Sequence, residues 1–209
     1  MSTPAAQPIL TTLTGSCHCR ATRYVLRRAL PLTAHAVTPT QRSSPADKPC
    51  VYRCNCTVCH KAGLLHVRPA SPPDDFALLA PRDLGALGAY RPRGPGEGST
   101  AFFFCRTCGV RCFSFKGQGE VVAVDRAEVG VEGDGTVEVW RPEKSTWTTE
   151  GMGKCYLSVN GQSIDWGQEG ADLRVWSEEG KILYLDCLEA GPDGRERPRY
   201  ERPHEGGCY

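Results

Sequence analysis

The sequence has no apolar run of about 18 residues, the length a membrane helix needs, so no membrane span is expected. Methionine is scarce, with two in 209 residues, and the net charge of +1 leaves no basic excess. Such a balance gives nucleic acid or an anionic membrane surface little to hold. Residues 1–14 show no basic region followed by an apolar one, so no secretory signal is expected. The terminal Gly206-Gly207-Cys208-Tyr209 does not fit a prenylation signal. Helical periodicity is missing as well, because no 3.6-residue apolar period lasts beyond about two turns. What is present is a series of short apolar segments broken by 23 glycines and 16 prolines. That pattern predicts a mainly β chain with little helix. There is no fixed-length repeat, and the length suits one domain with elaborations.

Cysteine is the residue in excess, with 12 in the chain. A secreted disulfide framework wants a short chain, a signal and scattered spacing. Here seven cysteines stand in metal-type spacings, which predicts a reduced, cytoplasmic, metal-bound protein. Cys54-Asn55-Cys56-Thr57-Val58-Cys59 places three thiols within six residues. In an extended segment, residues i and i+2 project to one side, so Cys54 and Cys56 can reach one ion. The C-x-x-C step that follows brings Cys59 to the same centre. Cys17-His18-Cys19 and Cys105-Arg106-Thr107-Cys108-Gly109 together supply four more thiolates, the composition of a closed structural zinc site. The chain is therefore expected to hold two zinc ions.

The central cluster then has three thiolates and either an open position or a fourth ligand from Cys50, His60 or His66. Cys56-Thr57-Val58-Cys59-His60 also matches a c-type haem attachment, but the chain offers only Met1 and Met152 as methionine ligands. A thioredoxin-type role for Cys105 and Cys108 would need a following helix, and Gly109 and a strand-like Cys112-Phe113-Ser114-Phe115 stand there instead. His18, between two ligands, is expected to point away from the metal. Cys112, Cys155 and Cys187 read as small buried hydrophobes, and Cys208 has no assigned role.

The expected organisation is a flexible tail over 1–13, a zinc-binding domain over 14–140, and an extension over 141–209 packed on it. Strands are expected at Thr14 to Leu26, Leu64 to Val67, Phe76 to Ala80, Ala101 to Phe104, Phe113 to Phe115, Val121 to Val124, Thr136 to Trp140, Leu173 to Trp176 and Ile182 to Leu185. Asn160-Gly161 suggests a type I′ hairpin turn. Pro81 to Leu87 suggests a brief helix, Ala29 to Pro49 a loop, and 189–209 a surface tail.

Three segments carry a family resemblance: Gly15-Ser16-Cys17-His18-Cys19, Cys54-Asn55-Cys56-Thr57-Val58-Cys59 with Lys61-Ala62-Gly63, and Phe104-Cys105-Arg106-Thr107-Cys108-Gly109. In order and spacing the chain resembles the glutathione-dependent formaldehyde-activating enzymes, also called the centromere protein V family. The resemblance covers about Thr14 to Phe115, and the remainder is similar to the extension of fungal members. It implies a β-tent fold of small coiled sheets, with Cys17, Cys19, Cys105 and Cys108 holding a structural zinc. It also implies that Cys54, Cys56 and Cys59 hold a catalytic zinc, and that the reaction forms S-hydroxymethylglutathione from formaldehyde and glutathione. The long loop with its own Cys50, and the extension, depart from the common pattern.

The chemistry can be reasoned without the family. Three thiolates leave zinc a modest Lewis acid that welcomes a soft fourth ligand, and a cysteinyl thiol fits. Held as thiolate beside an electrophilic carbonyl, it would add to give a hemithioacetal, and the reverse is carbon–sulfur lysis. His60, Lys61 and His66 are candidate proton relays. The competing expectations are a zinc lyase or hydrolase acting on another small electrophile, and a non-catalytic zinc-stabilised binding module.

Overall fold

Alternating side chains build the first hairpin. The segments ILTTLTGS and RYVLRRAL form β1 (Ile9–Ser16) and β2 (Arg23–Leu30), antiparallel and in continuous register from Ile9↔Leu30 to Ser16↔Arg23. The computed structural model describes residues 8–32, 50–92, 99–150, 154–187 and 199–201. Its other strands are β3 (Val51–Cys54), β4 (Leu65–Val67), β5 (Phe76–Ala80), β6 (Gly88–Tyr90), β7 (Ala101–Phe104), β8 (Arg111–Lys116), β9 (Gly119–Asp125), β10 (Thr136–Pro142), β11 (Tyr156–Asn160), β12 (Leu183–Asp186) and β13 (Arg199–Glu201). The α-helices are short: α1 (Thr57–Lys61), α2 (Pro72–Asp75) and α3 (Leu173–Glu178). The protein is mainly β, as the missing helical period predicts. No described helix is long and apolar enough to cross a membrane.

Two sheets result. One runs β1-β2-β5-β10-β9 and the other β13-β12-β3-β4-β11-β8-β7-β6. The apolar faces meet in an aromatic core. Phe76 of the first sheet lies 5.3 Å from Phe113 of the second, and Trp140 lies 5.0 Å edge-on from Phe115. Tyr24 sits 5.7 Å from Phe76 and covers Gly15, its cross-strand partner. A Cβ at Gly15 would fall 2.1 Å from the Tyr24 ring, so only glycine fits beneath it.

Several expected boundaries move, each for a local reason. The strand expected from Thr14 to Leu26 is two strands, because the backbone turns between Cys17 and Thr22. Residues 9–13, expected in a flexible tail, form most of β1, and Leu13 is fully buried there. Leu173 to Trp176 is helical instead of extended. The Asp172 carboxylate accepts the N–H groups of Arg174 and Val175 at 2.9 and 3.2 Å and starts a helix. Asn160 likewise accepts the Gln162 N–H, so a 3-10 turn replaces the expected type I′ hairpin. Leu84–Ala86 is a 3-10 turn, shorter than the helix expected over Pro81 to Leu87. Strand β13 lies within the expected surface tail. The expected loop from Ala29 begins as the end of β2, and 33–49 lie outside the described residues.

The segment after 140 does more than pack against the rest. Strand β11 lies between β4 and β8, and β12 runs parallel beside β3. The second sheet is therefore built from strands on both sides of residue 140.

Candidate metal centres

Two backbone turns present the first thiol set. Between β1 and β2, the Cys17 N–H donates to Thr22 O at 3.0 Å and the Arg20 N–H to Cys17 O at 2.9 Å. Between β7 and β8, the Gly109 N–H donates to Cys105 O at 2.8 Å, with Gly109 at φ 75°, a conformation glycine adopts without strain. These turns bring Cys17, Cys19, Cys105 and Cys108 together, with ligand atoms all within 4.8 Å of one another. Cys19 Sγ lies 3.5 Å from both Cys17 Sγ and Cys105 Sγ. A tetrahedron with metal–sulfur arms of 2.3 Å has edges of about 3.8 Å, so the set fits a metal ion. Burial opposes ionisation of Cys105. The N–H groups of Cys108 and Thr107 and the thiols of Cys19 and Cys17 outweigh it and bring Cys105 down to about 6. One turn belongs to each sheet, so an ion here would cross-link the two sheets.

The second set lies within one β–α–β unit. Cys54 ends β3, Cys56 precedes α1 in extended conformation, and the first turn of α1 carries Cys59 back. All three ligand atoms fall within 4.8 Å of one another. Cys54 and Cys59 are buried and Cys56 is half-buried. Hydrogen bonds from Cys187, Cys56 and Cys59 hold the Cys54 thiol far below its ordinary pKa. Contacts with Cys54 first and Cys56 next, with burial, push Cys59 far up. Three thiols this close cannot all ionise without a cation, which is the electrostatic signature of a metal-binding set.

A buried polar network supports Cys59. His66 Nε2 lies 3.2 Å from Cys59 Sγ, and its Nδ1 lies 2.8 Å from Ser158 Oγ. Burial brings His66 down to about 4, so it is neutral at ordinary pH. With Cys59 ionised as a metal ligand the sulfur could only accept, so Nε2 would carry the ring proton and Nδ1 would accept from the Ser158 hydroxyl. Ser158 then accepts from Tyr156 OH at 2.9 Å and from Ser114 Oγ at 2.9 Å. Tyr156 in turn accepts from Tyr52, whose ring stacks on His66 at 4.6 Å. Every donor in this chain points toward Cys59.

The candidate fourth ligands separate clearly. Cys50 stands four residues from Cys54 along extended chain, about 13 Å away, too far to share an ion. Burial pushes its thiol up to about 11. His60 is exposed on α1, as is Lys61, and only His66 touches the cluster. His18 is exposed, as expected. Cys112 and Cys155 are buried, as expected of small hydrophobes. Cys187 departs from that expectation: it is half-buried, and its Sγ lies 3.6 Å from Cys54 Sγ. Nothing local in the sequence marks Cys187, because parallel pairing of β12 with β3 brings it there. Tyr156 and Ser158 were legible in principle, since polar groups alternate with Leu157 and Val159 along a buried strand. Cys208 lies outside the described residues.

Two complete thiol sets predict two metal ions per chain. Elemental analysis of protein purified without chelator checks this, and a value near one with Cys54, Cys56 and Cys59 open to alkylation would remove the central centre. Comparison with family models, characterised proteins and solved structures finds no match for this chain.

Proposed function

We propose that this protein is a zinc-dependent carbon–sulfur lyase/synthase that forms or breaks a glutathione–aldehyde adduct of the S-hydroxymethylglutathione type. In this reading the two sheets form a β-tent, Cys17, Cys19, Cys105 and Cys108 hold structural zinc, and Cys54, Cys56 and Cys59 hold catalytic zinc in a cytoplasmic protein. The observation that carries it is the inequality of the two sets. Four thiols converge between the sheets, while three converge in one unit with Cys56 half-buried. All-thiolate donor sets suit zinc, and the motif resemblance agrees.

Bound at the central set, zinc would favour a soft fourth ligand and keep a substrate thiol ionised. The substrate sulfur adds to the aldehyde carbon, the carbonyl π electrons pass to oxygen, and that oxygen takes a proton. Lysis is the reverse. His66 holds its proton on Nε2 against Cys59 and orients that thiolate, so it is a positioning group and not the proton source. The proton enters from the solvent side, where His60 and Lys61 are exposed on α1.

Glutathione is expected to bind the zinc-loaded protein at millimolar concentration or below. Added formaldehyde should then exchange with its glutathione adduct faster than without protein, measured by exchange NMR. Cys56→Ser should abolish the excess rate. Absence of glutathione binding to an intact two-zinc protein would remove glutathione as the substrate.

A further inference from the structure

Asn55 sits between two ligands, and both it and Asp186 are buried at 2% exposure although neither belongs to a thiol set. Their hydrogen bonds explain why they are there. The Asn55 N–H donates to Leu185 O at 3.2 Å, and its Nδ2 donates to Asp186 Oδ1 at 2.8 Å. Its Oδ1 accepts the Cys187 N–H at 2.7 Å. One side chain flanked by Cys54 and Cys56 thus fixes the backbone of Cys187 at the cluster.

We propose that Cys187 is a displaceable fourth thiolate of the central centre, closing it at rest and giving way to an incoming small-molecule thiol. The inference rests on the reading that Cys54, Cys56 and Cys59 bind a metal and accept a substrate thiol. The 3.6 Å separation of Cys187 from Cys54 is like the 3.5 Å separations within the four-thiol set, and Cys187 stands at the edge of the central set, outside the three sulfurs that all lie within 4.8 Å of one another. A staggered rotation about Cα–Cβ moves a thiol sulfur by about 3 Å, enough to enter or leave a coordination shell without backbone movement. His66, the other group in contact, lacks that freedom. Both its ring nitrogens are engaged, and Tyr52 stacks on its face. In the exchange, the incoming thiol becomes the ligand, its proton passes to the released Cys187 sulfur, and nothing is oxidised.

Two measurements on the full chain test this. In the cobalt(II)-loaded protein, eight thiolates should contribute sulfur-to-metal absorption, so Cys187→Ser should lose about one-eighth of it and glutathione should restore it. In the wild-type zinc protein, Cys187 should alkylate about tenfold more slowly than after metal removal, by peptide mass spectrometry, because a metal-held thiolate is shielded. Glutathione should then release Cys187 to the reagent while Cys54, Cys56 and Cys59 stay protected. Equal Cys187 alkylation with and without metal, in a protein holding two ions, would overturn the inference and leave the proposed function standing. Cys187 protected whether or not glutathione is present would overturn displacement and make the centre a closed, structural one. One ion per chain, with the central thiols reactive, would remove both readings.

Discussion

Cys105→Ser is expected to leave no soluble folded protein, whereas Cys56→Ser is expected to remain folded. Structural metal binding is worth about 10–16 kcal/mol in small metal-binding peptides, against a total domain stability of about 5–15 kcal/mol. Cys105 lies in the turn that reaches from the second sheet to Cys17 and Cys19 of the first. With an ion held there, losing Cys105 would remove a link between the sheets. Cys56 serves a unit whose strands β3 and β4 are already paired with each other, and with β12 and β11 on their outer sides. Soluble yield, metal content and a thermal melt of the two variants decide the matter. Equal collapse of both would show that both sets are structural, and equal survival would show that neither cross-links the sheets.

Phe76→Ala is expected to cost about 3–5 kcal/mol, the range for deleting a buried aromatic ring. Phe76 is 1% exposed and touches rings from both sheets, Tyr24 and Trp140 on its own and Phe113 opposite. Little nearby can collapse into the space, since these neighbours belong to two separate ladders. At this chain length the melting temperature should fall by about 6–20 °C. Metal content should stay at two per chain, which separates this loss from that of Cys105→Ser. A fall below about 1 kcal/mol would mean that the two sheets close over the gap.

The two converging thiol sets were legible because their signal is local. Cys-x-Cys and Cys-x-x-Cys spacings report short turns, and the seven cysteines chosen on that basis are the seven that converge. Strands were legible from a short apolar run, as at Ala101–Phe104, and from alternating apolar residues, as at Thr136–Pro142. Helix α3 was misread because Leu173 to Trp176 is too short to show a period, and the decisive group is the Asp172 cap before it. Cys187, Asn55 and Asp186 were illegible for a different reason. Their roles arise from pairing between residues more than 130 apart, and no window along the chain contains both partners.

That same pairing fixes an order of events during synthesis. Cys54, Cys56 and Cys59 leave the ribosome early, yet β11 and β12, which flank their unit, and the Asn55 partners Asp186 and Cys187 come near the end. The four-thiol set is complete as soon as Cys108 has emerged, while the central thiols wait for Cys187, roughly two-fifths of the chain later, to complete their surroundings. At elongation rates of about 5–20 residues per second, that wait is several seconds. For that time a nascent chain carries three clustered thiols and an uncovered strand edge at β4. The growing chain thus exposes these thiols to oxidation before the strands that flank them have been made.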